Sequence, residues 1–554
     1  MDFLTKLIST KSSLILLFCI GLFTYIPSWG NQFVWDDEQF IYSNTFVKQF
    51  AVTEIFSTST TAGAGIASNY FRPLTTLSFA VDHLIWGLNP FGFLVTNTLM
   101  HVFSGVLLFL LLKTIFVRIQ QQIKTIQQFT DLQITIMSFV VAAVFIVHPI
   151  QTEAVTYISS RGDSFSTLLT LAGLLSFATS FQITNKNTKN GLLLLTLLLY
   201  PLSILAKEIA LASIGLYVLV FLLYKKTSKI RFSQLQSWSE TLAGLGAIAL
   251  SYLFLRVTIW NFSDPTQVIS PLEDVDQSLL SNQTAIDTLS YYQNPLVRFF
   301  TFSKIFFIYL RLLFLPFPLH MERDVSIVTS LFNPWTAAFA AFTVGLYFVV
   351  RYESKKYQSY WTLFGVGWFF CMLLPISGII PINGLLYEHW LYLPQIGLWL
   401  CLVIWLMRFL KQQKIATHPL IEIRAVQVAL LSVFVTILII FAGLTIRQNY
   451  IWGDPIRFYS YTLQFTQSAR LHNNLGMAYA DQGQHEKAVE QYESALKLSQ
   501  DYPHIFHNLG NTYAKLGDID KAKELYSKAL EVDPSFFFSG VALEELDKTS
   551  NENK

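Results

Sequence analysis

Eleven apolar stretches of nearly membrane-spanning length most strongly limit how this chain can fold. Each approaches the roughly 20 residues that a spanning helix needs. The 554 residues are 53% hydrophobic and only 13% charged, against about 25% charged in an average soluble domain. We therefore predict an all-α, polytopic membrane helix bundle with about eleven spans. The stretches lie at 12–28, 92–113, 133–148, 164–183, 191–206, 209–224, 241–260, 332–350, 360–380, 391–409 and 426–446.

The distribution of Lys and Arg predicts the orientation of these spans. Basic residues follow every second stretch, as Lys113 and Lys225 illustrate, and the alternate connections are poor in them. By the positive-inside rule, the N-terminus lies in the cytoplasm and eleven spans leave the C-terminus outside. The first stretch lacks a good cleavage site, so we expect an uncleaved anchor. The apolar segment 296–318 carries three cations; we expect it to lie in the outer interface, whereas a span there would reverse the C-terminal part.

The polar C-terminal segment repeats itself at a spacing of 34 residues. This period and residue pattern resemble the tetratricopeptide repeat, a helix–turn–helix unit in which small residues lie where two helices cross. A plain helical hairpin bundle is the alternative. The repeated positions include Asn474-Leu475-Gly476 with Asn508-Leu509-Gly510, Gly483 with Gly517, and Tyr492 with Tyr526.

Two domains follow from this change in composition. Residues 1–450 form the membrane domain and residues 451–547 a short repeat domain with an α-solenoid fold, followed by a disordered tail at 548–554. Because two repeats bury little core, we expect further elements to extend the array. We predict repeats at 469–502 and 503–536, a half-repeat at 454–467 and a capping helix at 535–547.

Ionisable side chains cluster at the predicted outer ends of several separate spans. Such groups are costly near lipid and are candidates for function by default. The two adjacent aspartates Asp36 and Asp37, directly after the first stretch, are the most unusual feature. Together these groups predict a polar cavity at the outer membrane face. The others are Arg72, His148, Glu153, Arg161, Asp163, Lys207, Glu208, Glu388 and His389.

Each of these groups also has a purely structural interpretation. The aspartates could cap an interfacial helix, and His148-Pro149 could simply end a span. Glu153 and Arg161 could pair in a solvated loop. Arg72 could contact lipid headgroups, Lys207-Glu208 could reach toward water from between two spans, and Glu388-His389 could lie in a hydrated turn.

Several short runs, in this order and spacing, resemble the transmembrane-and-tetratricopeptide O-mannosyltransferase family. That family belongs to the C-type glycosyltransferases, which use polyprenyl- or dolichyl-phosphate sugars. The resemblance extends over nearly the whole chain, although only two repeats are clear here. The runs are Phe33-Val34-Trp35-Asp36-Asp37, Tyr70-Phe71-Arg72-Pro73-Leu74, Trp86-Gly87-Leu88-Asn89-Pro90, His148-Pro149-Ile150-Gln151-Thr152-Glu153-Ala154-Val155, Ser160-Arg161-Gly162-Asp163, Lys207-Glu208 and Leu391-Tyr392-Leu393-Pro394.

The resemblance implies an inverting transfer of a sugar, mannose in that family, from the lipid carrier. It assigns the catalytic base to the first-loop acidic pair, either Asp36 or Asp37. Charge builds on the departing lipid phosphate, and a cation placed nearby lowers that barrier. Arg72, Arg161 and Lys207 are the candidates, and arginine is favoured because its planar fork binds phosphate oxygens in pairs.

The resemblance also implies the partners and the location. The acceptor would be a hydroxyl, most simply a protein Ser or Thr outside the cytoplasm, with the repeats binding the acceptor or a partner protein. The chain would lie among lipids of a prokaryotic plasma membrane or a eukaryotic endoplasmic reticulum. A net charge of +2 gives no indication of nucleic acid binding.

Four of the ionisable residues have side chains of the types that bind metal ions. Asp36, Asp37, Glu208 and His389 could together hold a divalent metal, but we expect no metal and no other cofactor.

A non-catalytic membrane-anchored repeat scaffold is the main alternative function. A transporter is disfavoured because the ionisable groups lie at span ends and not at mid-membrane.

Overall fold

The computed structural model describes residues 9–66, 68–122, 129–227, 235–262, 289–357, 360–379, 384–415 and 420–552. This part of the chain is helical and contains no β-strand. It divides into two compact units. Of the described residues, the first unit contains those up to 262 together with 302–319 and 332–450. The second contains 289–301, 320–331 and 451–552, so it includes a mainly helical segment and a loop segment besides the predicted repeat domain.

Every apolar stretch predicted from the sequence contains a helix. Three short helices, Thr45–Lys48, Val52–Ser57 and Thr152–Val155, lie between the longer ones. The longer helices before the repeats are Thr10–Tyr25, Pro73–Trp86, Pro90–Gln122, Asp131–Val147, Arg161–Ser180, Lys186–Ala206, Ile214–Thr227, Gln236–Thr258, Pro295–Phe314, Pro334–Tyr357, Trp361–Leu373, Gln395–Ile415 and Leu420–Ile451.

Seven helical segments in the described ranges are long and apolar enough to cross a membrane. An eighth forms if Asp131–Val147 and Pro149–Val155, bent by 53° at Pro149, are one span. Trp361–Ile376 and Gln395–Leu410 are apolar but shorter. The polytopic membrane fold is confirmed, and the number of eleven spans stays a prediction. The seven are Thr10–Gly30, Pro90–Arg118, Lys186–Ala206, Glu208–Lys226, Gln236–Thr258, Pro334–Lys356 and Ser432–Ile451.

Close helix packing in the first unit depends on small residues and on buried hydrogen bonds. A Cβ atom on Gly397 would collide with the backbone of Gly365, so two helices approach with their main chains in contact. Beside them, the buried Trp368 indole donates to the carbonyl of Leu393 at 3.0 Å. Because lipid supplies no hydrophobic drive for helix association, such contacts stabilise bundles in membranes.

The first loop (residues 29–91) is folded around a small core of its own. Phe40, Val47 and Phe79 are buried there with Phe93 and Ile158. Pro73 begins the loop helix Pro73–Trp86, where a missing N–H costs nothing. This core fixes the loop against the segment that precedes Arg161.

The second unit contains the tetratricopeptide helices at the predicted positions. A Cβ on Gly476 would come within 2.6 Å of the Tyr492 ring, and one on Gly510 within 2.7 Å of Tyr526. The repeat architecture is therefore confirmed down to the small residues at the helix crossings. Its helices are Pro455–Thr462, Ala469–Asp481, His485–Leu498, Pro503–Lys515, Ile519–Val532 and Phe537–Glu552.

The closing helix is longer than the sequence predicted. It extends from Phe537 to Glu552, so residues 548–552 are helical and not a disordered tail. This stretch has no Gly or Pro to end the helix, and the Asp547 carboxylate lies 2.5 Å from the Lys523 ammonium. The predicted tail residues 553–554 lie outside the described residues.

Candidate active site

Asp37 is a buried carboxylate that fastens the first loop to a neighbouring turn. One of its oxygens accepts from Val34 N at 3.1 Å. The other accepts from the amide of Ser159 at 2.8 Å and from its hydroxyl at 2.5 Å. Burial raises the pKa of Asp37 to about 7, against the lowering effect of these hydrogen bonds. The side chain caps no helix, so its role is to join two segments 122 residues apart.

Asp36 differs from its neighbour because its carboxylate is only partly buried. It accepts from Gln39 Nε2 at 2.8 Å. The Asp36 amide donates to the Tyr157 hydroxyl at 3.3 Å, and that hydroxyl also bonds the Asp36 side chain. Trp35, just before, has a left-handed backbone with φ of 55°, an unfavourable conformation for a large residue. This turn leads into two adjacent aspartates, of which Asp37 is buried and Asp36 is partly exposed.

Arg161 is fully buried and all three guanidinium nitrogens are engaged. Nε donates to Asn97 Oδ1 at 2.5 Å, Nη1 to Ser78 Oγ at 3.2 Å, and Nη2 to the carbonyl of Phe93 at 3.0 Å. Nη2 also lies 2.5 Å from Asp82 Oδ2, itself buried. Arg161 was predicted to bind the donor phosphate, but these contacts favour a structural role.

Arg72 is more accessible. Its Nε lies 3.2 Å from Glu208 Oε2, with the two side chains 18% and 28% exposed. The other Glu208 oxygen accepts from the amide of Phe71 at 3.3 Å. Burial lowers the pKa of Arg72, but Glu208, Tyr70 and Asp163 together outweigh it and hold that pKa above its usual value. Within the described residues, no hydrogen bond holds either Nη atom of Arg72, and the guanidinium carbon lies 4.9 Å from the centre of the Tyr70 ring.

Lys207 and Asp163 connect the Arg161 helix to the arginine–glutamate pair. Lys207 Nζ lies 2.6 Å from Asp163 Oδ2, and both side chains are nearly buried. Burial lowers the pKa of Lys207, and nearby Arg72 adds to that effect. Gly162 allows this approach, since a Cβ there would lie 3.2 Å from the carbonyl of Ala206. The pairs Asp37–Ser159, Asp163–Lys207 and Glu208–Arg72 thus form a row, joined to one another by the chain segments 159–163 and 207–208.

His389 and Glu153 form a third pair beside this row. The His389 amide donates to Glu153 Oε2 at 2.8 Å, and its Nδ1 lies 2.9 Å from Oε1. Burial lowers the pKa of His389 to about 3, and the Lys207 and Arg72 cations add to this effect, so the ring is neutral. A small pocket beside it is lined by Asp163, Ser166, Thr167, Thr170, His389 and Trp390.

Two of the predicted cavity residues have other surroundings. His148 is fully buried, with Nε2 2.9 Å from the carbonyl of Leu313 and Nδ1 accepting from the amide of Ile150. It therefore ends its helix, as the structural interpretation held. Glu388 is buried in the turn Glu388–Leu391.

The residues considered for a metal do not converge. Glu208 contacts Arg72, and His389 contacts Glu153. No three acidic, histidine or cysteine side chains of the described ranges form a metal-binding group. The arrangement therefore does not fit a metal site of Asp36, Asp37, Glu208 and His389.

Several residues that shape the site were not identified from the sequence. They are Asp82, Tyr157 and Ser159, which contact Arg161, Asp36 and Asp37 respectively. Each is far from its partner along the chain and belongs to a common residue type. The position of Asp82 in an otherwise apolar stretch is the only signal that could have indicated it.

The fold defines a polytopic α-helical membrane protein with a C-terminal tetratricopeptide segment. Residues 476–517 match the family described as "TPR repeat", and residues 504–536 match "Tetratricopeptide repeat". The chain also aligns over 97% of its length with the crystal structure of ArnT from Cupriavidus metallidurans bound to undecaprenyl phosphate. That alignment covers 77% of the ArnT chain, with a TM-score of 0.41 and 12% identity.

Several protein O-mannosyl-transferases are similar to this chain in sequence. Protein O-mannosyl-transferase F38B6.6 of Caenorhabditis elegans is 25% identical over 503 residues, 88% of this chain and 63% of that protein. TMTC3 of Mus musculus is 25% identical over 78% of this chain and 44% of its own length. TMTC1 of Homo sapiens is 25% identical over 86% and 54%. The chain thus spans about half to two thirds of these relatives, and the resemblance seen in its motifs is confirmed.

Proposed function

We propose that this protein transfers a sugar from a polyprenyl-phosphate carrier to a hydroxyl acceptor outside the cytoplasm. The observation that carries the proposal is this row of pairs, with a partly exposed carboxylate, Asp36, near one end and a partly exposed guanidinium, Arg72, at the other. Such a pair supplies the base and the phosphate-binding cation that this transfer requires. The similarity to protein O-mannosyl-transferases supports mannose as the sugar and protein Ser or Thr as the acceptor.

Asp36 is the proposed catalytic base. A base must reach the proton that it removes, so accessibility is considered before acidity. The Asp37 carboxylate is fully buried and already accepts three hydrogen bonds. Asp36 is partly exposed and is therefore the one that an incoming hydroxyl would reach. Asp37 then holds the loop that presents Asp36.

Arg72 is the proposed ligand of the donor phosphate. Its Nη atoms can bind two phosphate oxygens while Nε keeps its contact with Glu208. Lys207 lies next in the row and adds positive potential, although Asp163 largely neutralises it. Arg161 is engaged on all sides and holds the helix N-terminus in place.

The reaction is a single displacement at the anomeric carbon. The acceptor hydroxyl gives its proton to Asp36 while its oxygen forms the new bond to that carbon. The bond from the anomeric carbon to the phosphate oxygen breaks, its electron pair passes to the lipid phosphate, and Arg72 stabilises the charge. Because no covalent enzyme intermediate forms, the anomeric configuration inverts. This step uses no metal or other cofactor.

In this proposal, the protein meets its partners at the outer face of the membrane. The repeats hold the acceptor or a partner protein near the membrane, and the lipid carrier reaches the site from the bilayer. With the N-terminus in the cytoplasm, the first loop and the repeats lie on the outer side. That side faces outward from the plasma membrane in a prokaryote or into the endoplasmic reticulum in a eukaryote.

Transfer can be measured with the purified full chain in lipid nanodiscs. It is incubated with labelled polyprenyl-phosphate sugars, mannose first, and with Ser/Thr-containing acceptor proteins, and labelled product is counted. We expect turnover with the mannosyl donor and a loss of about 100-fold or more in Asp36→Asn. Glu38→Gln is the matched control because it removes an exposed carboxylate two residues away; it should keep turnover.

Two results would contradict the proposal. One is an Asp36→Asn protein as active as the unmodified chain. The other is no transfer from any polyprenyl-phosphate sugar by a folded protein whose repeats still bind peptides, which would favour the membrane-anchored scaffold.

A further inference from the structure

The hydroxyl of Tyr157 makes an unusual double contact with Asp36. Tyr157 lies 121 residues further along the chain, and its ring is buried with only 4% exposed. Its oxygen accepts from the Asp36 amide at 3.3 Å, and the hydroxyl also bonds the Asp36 carboxylate. Two residues later, Ser159 binds Asp37 through its amide and its hydroxyl. One short turn therefore holds both aspartates.

We propose that Tyr157 is a positioning residue that holds the Asp36 carboxylate in place and keeps it charged. The inference rests on the proposed function, in which Asp36 removes the acceptor proton. A hydrogen bond donated to a carboxylate favours its charged form. Its loss would therefore weaken the base without removing it.

The charges around Asp36 explain why such a donor is needed. Asp37 is its neighbour, and two adjacent carboxylates disfavour each other's charged forms. Glu38 follows them on the same loop. On the facing segment, residues 157–161, two groups are titratable or charged. Tyr157 interacts electrostatically with both aspartates, and Arg161 interacts with Asp37. Because Arg161 is paired with Asp82, the Asp36 carboxylate is held directly by two neutral donors, the Tyr157 hydroxyl and the Gln39 amide.

Tyr157 stays a donor throughout the useful pH range. Burial first, and then the charges of Asp36 and Asp37, raise the pKa of Tyr157 well above its ordinary value of 10.0. The hydroxyl is therefore protonated at every pH at which transfer would be measured. Gln39 Nε2, at 2.8 Å from the other side, completes the support of the carboxylate.

The first test is the pH profile of transfer by Tyr157→Phe, which removes one oxygen atom and keeps the ring. Without the donor, Asp36 takes up its proton at a higher pH. We expect the acidic limb of the kcat/KM profile to move upward by about one pH unit. The loss of activity should grow as the pH falls, approach about tenfold below the acidic limb, and disappear well above that limb. An equal loss at all pH values would overturn the inference.

Tyr217→Phe is the matched control for removing a buried hydroxyl. Tyr217 is fully buried, and its hydroxyl has no hydrogen-bond partner in the described part of the chain. Its replacement should leave the pH profile in place. A similar shift in both variants would mean that any buried tyrosine hydroxyl has this effect, and the inference would fail.

A second test needs no activity and so separates this inference from the proposed function. Thermal unfolding of the full chain is measured for Tyr157→Phe, Asp36→Ala and the double variant. If the two side chains interact, the double variant loses less melting temperature than the two single losses added together. Additive losses would contradict the contact even if transfer is observed. Non-additive losses would support it even if no donor is turned over.

Discussion

At the scale of single residues, Arg72 and Arg161 show how one residue type serves two purposes. Arg161 has every nitrogen bonded and no exposure, and its charge is paired with Asp82. Arg72 pairs with Glu208, lies over the Tyr70 ring and is partly exposed. Losing one member of a buried ion pair leaves an uncompensated charge, whereas exposed pairs contribute little. The same substitution should therefore mainly lower the stability of the fold at Arg161 and mainly lower the rate of transfer at Arg72.

We predict that Arg161→Met unfolds the chain at a much lower temperature than Arg72→Met does. The first leaves Asp82 buried without a partner and should cost about 3–5 kcal/mol. The second leaves a partly exposed Glu208 that still accepts from the Phe71 amide, and it should cost less, about 1 kcal/mol. Transfer per folded molecule should fall at least about tenfold in Arg72→Met, since the phosphate loses its bidentate ligand.

Melting in nanodiscs and the transfer assay measure the two effects separately. A stable but inactive Arg161→Met protein would return Arg161 to the phosphate site. A destabilised but active Arg72→Met protein would remove Arg72 from it.

At the scale of elements, the spacing of 34 residues predicted the repeats because each repeated glycine has a steric reason. Gly476 and Gly510 lie against the rings of Tyr492 and Tyr526. A side chain of any size would push the paired helices apart, so the pattern in the sequence reflects the packing. The turn glycines Gly483 and Gly517 have φ of 73° and 87°, which glycine adopts at no steric cost.

We predict that Gly476→Ala destabilises the repeat segment by about 1–3 kcal/mol, the usual cost of overpacking. Gly540→Ala is the matched control. Gly540 is also helical, but a Cβ there meets nothing within 4 Å, so alanine should stabilise by about 0.5–1 kcal/mol. Limited proteolysis of the full chain across a temperature series measures both. Equal behaviour of the two variants would mean that the Gly476 contact with Tyr492 is not tight.

The sequence predicted some features of the fold and of the site but not others. Local features were predictable: apolar length gave the helices, and the glycine–tyrosine register gave the repeats. The ion pairs were not, because Asp82 and Arg161, or Glu153 and His389, are brought together only by the packing of several helices. The ionisable groups at the span ends could be identified from the sequence. Only their contacts in the folded chain distinguish Arg161, whose three guanidinium nitrogens are all hydrogen-bonded, from Arg72, which is partly exposed.

At the scale of the whole molecule, the orientation in the membrane decides which substrates can reach the site. The chain is an integral membrane protein with several spans, and the basic connections predict that its N-terminus is cytoplasmic. The helix Pro295–Phe314 carries Arg298, Lys304 and Arg311 and is not among the seven apolar spans of the described residues. If it lies in the interface, the connections before and after it share one side, and the repeats lie outside.

Single-cysteine labelling in intact cells tests this orientation. In a chain with Cys19, Cys371 and Cys401 replaced by serine, one exposed residue at a time is changed to cysteine and treated with a membrane-impermeant maleimide. We expect Lys497→Cys in the repeats to label in intact cells, and Lys186→Cys to label only after permeabilisation, because the predicted topology places them on opposite sides. Asn261→Cys and Leu331→Cys, on either side of Pro295–Phe314, should label together from outside. Opposite labelling of this last pair would make the helix a span, put the repeats in the cytoplasm, and separate them from any acceptor on the side of Asp36.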